Sequence, residues 1–109
     1  MFTDEMNRRA DVLADKLNDV LATEGSITIG DGIAALMKLN CRVVNELYGR
    51  KAAEELMELL VEANVEIFAR YAPTGNYAQA DRDPEEPALV SLVKVLPKTK
   101  WKAKAARAR

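Results

Sequence analysis

The chain has 109 residues, enough for one domain, and 49% of them are hydrophobic but only 6% aromatic, so aliphatic side chains must form most of the core. One Cys and no His exclude an internal disulfide, a zinc or haem-histidine site, and a Cys–His catalytic pair within one chain. Early charged residues and the absence of a long apolar run predict neither a secretory signal nor a membrane span, and favour the cytoplasm.

Charge is separated along the chain. The net charge is −1, but seven of the sixteen Lys and Arg residues follow Val93, and no acidic residue follows Glu86. Residues 1–93 therefore hold nine basic and seventeen acidic side chains. An acidic body with a basic end restricts the partners that are possible, because an electric field depends on where the charges lie.

The first helix is predicted over residues 3–23, with Thr3 as its N-cap. Apolar residues recur there at alternating steps of four and three, the spacing of a coiled-coil seam: Met6, Ala10, Leu13, Leu17 and Val20. We expect this stripe to face the core. The opposite, outer side is assigned to polar residues: Asp11, Asp15, Asn18 and Asp19.

The second helix is predicted over residues 29–48. Thr28 and Asp31 have the spacing of a capping box. Gly30 and Gly32 each weaken the first turn by roughly 1 kcal/mol relative to Ala, so we expect a frayed or late start. Cys41 lies at the edge of a wide apolar arc and is interpreted as a buried structural thiol.

Gly49 predicts a break before a third helix over residues 50–71, although one kinked helix over 29–71 is the alternative. One face of the third helix is apolar. The other carries four glutamates at i, i+4 spacing, which we call the acidic ridge: Glu54, Glu58, Glu62 and Glu66. Such like-charge pairs are unfavourable unless cations relieve them. The acidic ridge is therefore either a solvated face or a site for a basic partner, including this chain's own basic end.

Residues 73–83 are predicted to form a loop, and residues 84–96 a short fourth helix with Asp83 as N-cap and Pro84 at its first position. A strand is the alternative for residues 88–96, since several of them are β-branched. The sequence thus predicts an all-α fold. Three amphipathic helices form a bundle, followed by the short helix, in a domain of residues 1–96 that ends in a flexible basic tail of residues 97–109.

The basic tail is the clearest candidate for binding a partner: Lys98, Lys100, Trp101, Lys102, Lys104, Arg107 and Arg109. Cations supply phosphate contacts without sequence specificity, and Trp101 can stack on an unpaired base. The other interpretations are docking on an acidic surface, of this chain or of another protein, and simple solubilisation. Asn40 and Asn64 each lie near the middle of an apolar arc. They either specify a homodimer interface or are hydrogen-bonded core amides.

We therefore expect a non-enzymatic helical interaction or adaptor protein that self-associates, as a homodimer, or binds a protein partner. Its tail would add electrostatic affinity. One alternative is a nucleic-acid-binding accessory protein that uses the tail for non-specific phosphate contacts. The second alternative is an enzyme with an unrecognised carboxylate site. The sequence predicts no catalytic residue, no cofactor and no metal.

Overall fold

A computed structural model describes residues 2–71 and 82–102 of the protein. The regular elements in these ranges are four helices: α1 (Asp4–Thr23), α2 (Ile29–Tyr48), α3 (Arg50–Tyr71) and α4 (Ala88–Val95). The all-α fold is confirmed. The loop predicted up to residue 81 and the tail residues Lys104, Arg107 and Arg109 lie outside the described residues.

Side-chain caps begin α1 and α2 at the predicted residues. Thr3 Oγ1 accepts a hydrogen bond of 3.1 Å from the Met6 N–H. At α2, Thr28 Oγ1 accepts from the Asp31 N–H over 3.2 Å, and Asp31 Oδ2 accepts from the Thr28 N–H over 2.8 Å. The N-cap and the capping box are thus confirmed, and each satisfies backbone donors that have no partner inside the helix.

Gly49 separates α2 from α3. Its φ of +82° and ψ of 163° lie in a region that is essentially restricted to glycine. The Gly49 N–H donates to the Asn45 carbonyl over 2.8 Å, and the Gly49 carbonyl accepts from the Ala53 N–H over 3.0 Å. Gly49 therefore ends α2 and accepts the first backbone hydrogen bond of α3. The break is confirmed over the kinked helix, and α2 and α3 make the main helix–helix contact.

The orientation of α1 differs from the predicted one. Its first end is held at α3, where the Phe2 carbonyl accepts from Arg70 Nη1 over 3.1 Å and from Tyr71 Oη over 3.0 Å. Further along, Asn18 is buried and only 5% exposed, although it was assigned to the outer side. The apolar residues predicted to face the core are exposed instead: Met6, Ala10, Leu13, Leu17 and Val20. The side of α1 that faces the other helices is therefore the one that carries Asn18, and not the apolar stripe.

The fourth helix begins at Ala88, four residues later than predicted. Pro87 has no N–H and its ring would clash with the preceding turn, so the helix cannot continue through it. Asp83 forms a turn, because its Oδ1 accepts from the Glu85 N–H over 2.9 Å and its carbonyl accepts from the Glu86 N–H over 3.0 Å. The helix is confirmed over the alternative strand.

Within one chain the helices bury little apolar surface. In the described residues the buried hydrophobic side chains are Ala53 and Ala63, both on α3. Larger aliphatic residues of the same helix, such as Leu56, Leu60 and Ile67, are only half-buried. The contact between α2 and α3 is therefore narrow, and most of the large apolar side chains of the other helices stay on the surface.

Replacing Gly49 by Ala should lower the free energy of unfolding by about 1–3 kcal/mol, because a β-carbon disfavours this backbone conformation even though no atom lies within 4 Å of it. Denaturant unfolding followed by circular dichroism measures the change. Lys51→Ala, at an exposed helical neighbour, is the matched control and should have little effect. An unfolding free energy equal to that of the wild type in Gly49→Ala would contradict the assigned strain.

Candidate functional site

The segment of residues 96–101, which we call the clasp, closes over the start of α2. The Ile29 N–H donates to the Thr99 carbonyl over 2.7 Å, and the Gly30 N–H donates to the Leu96 carbonyl over 2.9 Å. These are two of the backbone donors that a helix N-terminus leaves without internal partners. Because Leu96 caps the end of α4, its carbonyl also brings the negative end of one helix to the positive end of another. The clasp thus fastens α4 to α2.

The rest of the clasp pairs with the turn between α1 and α2. The Trp101 N–H donates to the Ile27 carbonyl over 3.1 Å, and Lys100 forms an antiparallel bridge with Thr28. Lys100 Nζ also donates to the Ser26 carbonyl over 3.0 Å. The first residues of the predicted tail are therefore packed against the helical body, and the body extends beyond the predicted boundary at residue 96.

Two glycines allow the clasp to approach α2. A β-carbon at Gly32 would lie 2.2 Å from Trp101 Cε3, and one at Gly30 would lie 2.8 Å from the Leu96 carbonyl oxygen. Both distances are far shorter than van der Waals contact. The glycines that predicted a frayed first turn are thus the residues that make room for the clasp. Since the clasp satisfies its donors, α2 begins at Ile29 without delay.

The indole of Trp101 is the centre of this arrangement. Its Nε1–H donates to Asn18 Oδ1 over 3.0 Å, while its ring lies on Gly32. Leaving a buried donor without its acceptor costs about 1–3 kcal/mol. Trp101 therefore holds α1, α2 and the end of α4 together. The apolar periodicity of α1 does not predict the contact between Asn18 and Trp101. The sequence signals that point to it are the single Trp of the chain and the paired glycines of α2.

The charge of Asp31 supports the same turn. The Thr28 backbone N–H, by donating to its carboxylate, lowers the pKa of Asp31 below its ordinary value, and Lys100 acts in the same direction. Near α4, the Lys94 ammonium and then the Ser91 hydroxyl lower the pKa of Glu86. A lowered pKa favours the charged form of a carboxylate. Charged Asp31 therefore strengthens the capping box at the start of α2, and charged Glu86 strengthens the contacts with Ser91 and Lys94 of α4.

The described cations of the tail have different environments. Lys98 and Lys102 are exposed, whereas Lys100 is hydrogen-bonded to the α1–α2 turn. In the part of the chain that the structure describes, no ion pair joins these lysines to the acidic ridge. Residues 97–101 of the tail are thus held against α2 and the α1–α2 turn by backbone hydrogen bonds and by the Trp101 ring.

Arginines stand at both ends of the acidic ridge on α3. Arg50 Nε lies 3.1 Å from Glu54 Oε1, and Arg70 Nη1 lies 3.7 Å from Glu66 Oε1. Each pair has i, i+4 spacing, which relieves the repulsion at the ends. The two middle glutamates are exposed and form no ion pair among the described residues. The centre of the acidic ridge is therefore an accessible negative surface.

The two asparagines predicted to specify an interface lie on the surface of the single chain. Asn40 and Asn64 are both exposed, and Asn64 Nδ2 donates to the Leu60 carbonyl over 3.0 Å. Neither is a buried core amide, because the arcs on which they lie are not covered within one chain. Their role at an interface stays a prediction.

A cleft of about 530 Å³ lies between α2 and α3 near their connection. Its lining combines apolar and cationic side chains: Met37, Cys41, Ala53 and Met57, with Lys38, Arg42 and Arg50. Cys41 is exposed, so its interpretation as a buried thiol is wrong. The apolar arc of α2 is wider than α3 can cover, and Cys41 lies on the uncovered part.

Comparison with known proteins identifies no matching family, no similar curated protein and no similar solved structure. Among the described helices, none combines the length and the apolar character that a membrane crossing requires. In the same residues no group of three or more His, Cys, Asp or Glu is placed to hold a metal ion. The proposed function is therefore based on the surfaces of the chain itself.

Gly32→Ala should destabilise the protein by about 1–3 kcal/mol, because the new methyl group overlaps the Trp101 ring and forces it away from Asn18. Denaturant unfolding by circular dichroism measures this, and the Trp101 emission should move to longer wavelength. In a Trp101→Ala background the same methyl group meets no ring, so Gly32→Ala should cost little there. Equal costs in both backgrounds would show that the two residues are not coupled.

Proposed function

We propose that this protein is a non-enzymatic interaction protein whose helical body self-associates through its apolar helix faces, in the simplest case as a homodimer. The observation that carries this proposal is the outward orientation of the apolar stripe of α1. Leu13 and Val20 are 58% and 60% exposed, on a helix whose 4–3 spacing is typical of helix–helix seams. A second helix is the partner that such a stripe fits.

Further apolar side chains are exposed on the other helices. On α4 they are Leu89, Val90, Leu92 and Val93, and on α2 they include Leu36, Met37, Leu39, Val43 and Leu47. Soluble monomers rarely expose contiguous apolar patches larger than a few hundred Å², and larger patches mark interaction sites. The distribution over three helices favours a partner that covers a broad surface.

The lowered pKa values of two carboxylates indicate a structural role for those two groups. General acid–base catalysis near neutral pH uses carboxyl groups whose pKa is raised. The pKa of Asp31 and that of Glu86 are lowered by their hydrogen-bond donors. Both groups are thereby suited to hold structure in the charged form, and not to exchange protons during a reaction.

Nucleic-acid binding by the tail is the second candidate, favoured by the exposure of Lys98 and Lys102. The Trp101 ring packs on Gly32 and its N–H bonds Asn18, so Trp101 is not available to stack on a base. The affinity for nucleic acid would have to come from phosphate contacts of the cations. A variant that tests this candidate has to keep the clasp. Replacing Lys98 and Lys102, whose side chains are exposed, by Gln in the full chain meets that condition and should weaken salt-sensitive binding of labelled DNA or RNA, whereas truncation after residue 96 would remove Trp101.

Replacing Leu13 and Leu17 together by Ser should weaken self-association more than tenfold, because each dimer would lose the burial of four leucines. Sedimentation equilibrium measures the dissociation constant, and circular dichroism checks that helix content is kept. Arg8→Ser with Asp11→Ser is the matched control, since it puts two serines into α1 away from the stripe. A wild-type chain that stays monomeric even at millimolar concentration would contradict the proposal.

A further inference from the structure

The outer surface of α3 carries a second narrow apolar strip. Val61, Val65 and Phe68 are 64%, 65% and 73% exposed and follow one another at steps of four and three. Glu62 is adjacent to Val61 and lies at the edge of this strip, because successive residues are separated by about 100° around a helix. The strip therefore combines an apolar centre with a negative border from the acidic ridge.

The stripe of α1 has the same spacing and the opposite border. Leu13, Leu17 and Val20 are also separated by steps of four and three, and all are exposed. On the flank of this stripe lie Arg9 and Lys16, each one residue before a stripe position. Arg9 is 68% exposed and is 3.9 Å from Glu5 in a weak surface pair. Its guanidinium is thus accessible to a further carboxylate.

We propose that α1 of one copy packs in parallel against α3 of a second copy. Three apolar pairs then form at a constant offset along the two helices: Leu13 with Val61, Leu17 with Val65, and Val20 with Phe68. This assignment rests on the proposed self-association and specifies its interface. In the two-fold dimer that we propose, α1 of each copy packs on α3 of the other, so the contact forms twice and no open end is left.

The charges determine the parallel orientation. In a parallel helix pair, the residue before an apolar position of one helix approaches the residue after an apolar position of the other. Arg9 precedes Ala10 and Glu62 follows Val61, so this offset brings Arg9 to Glu62. In an antiparallel pair the Arg9 and Lys16 flank would instead meet the other side of α3, away from Glu62. Electrostatic complementarity of this kind fixes register more than affinity.

A second copy fits these surfaces because both halves of the contact are on one chain. The apolar spacings match over three positions, and the borders have opposite signs. Asn64, which the sequence analysis assigned to an interface, precedes Val65 and lies at the border of the same strip. The dimer thus covers Leu13, Leu17 and Val20 of the stripe and reaches Glu62 of the acidic ridge at once, which a small or purely basic partner would not do.

Charge reversal in the full-length chain tests this pairing. Arg9→Glu and Glu62→Arg should each weaken the dimer about tenfold, since every dimer then contains two repulsive pairs in place of two attractive ones. The double variant should recover the wild-type dissociation constant, and an equimolar mixture of the two single variants should form heterodimers. Arg8→Glu, on the side of α1 opposite the stripe, and Glu46→Arg, on α2, reverse exposed charges outside the contact, and these controls should not alter it.

The outcomes separate this inference from the proposed function. A monomeric wild-type chain would overturn both. A dimer that is insensitive to both reversals, or a double variant that shows no recovery, would overturn the α1–α3 contact while self-association stands. If Glu62→Arg weakens the dimer as Lys104→Glu with Arg107→Glu does, and Arg9→Glu has no effect, the basic tail occupies the acidic ridge and the α1–α3 contact is wrong. Circular dichroism of every variant distinguishes lost association from lost folding.

Discussion

The indole of Trp101 contacts Gly32 with its ring and Asn18 with its N–H, and through these two contacts α1, α2 and the end of α4 take up one arrangement. Without the acceptor on Asn18, the indole N–H would be buried at a cost of about 1–3 kcal/mol. Without glycine at position 32, the ring would have no space. The remaining clasp bonds use backbone donors of α2 that need acceptors in any case. Trp101, near the end of the sequence, thus holds α1 and α2, which are formed by its first half.

The rotation of α1 follows from this contact. Asn18 and the stripe containing Leu13 and Leu17 are roughly a third of a turn apart around the helix, so turning Asn18 toward Trp101 turns the leucines outward. A helix that satisfied its apolar period within the chain would have to leave Trp101 without its partner. Within one chain, the fold forms this polar contact and leaves the apolar stripe of α1 exposed. An apolar stripe that is exposed in the single chain is typical of an interaction site that another surface covers.

Local signals were sufficient to predict most of the helices. The capping box at Thr28 and the glycine conformation at Gly49 are decided by a few neighbouring residues, and the bounds of the first three helices follow from such features. The start of α4 was misjudged because Pro87 was not weighed against the earlier cap. The clasp was missed because periodicity assigns polar residues to solvent and treats a basic segment as tail. Asn18 and Trp101 are 83 residues apart, and their contact exists only in the folded chain.

Self-association is the claim on which the functional account depends, and the concentration dependence of thermal unfolding tests it most directly. A dimer that unfolds to separate chains gains about 2.7 kcal/mol when the protein concentration rises a hundredfold. We therefore expect the midpoint of thermal unfolding to rise by roughly 5–10 °C over that range. The same midpoint at both concentrations, together with the mass of a single chain, would contradict the account.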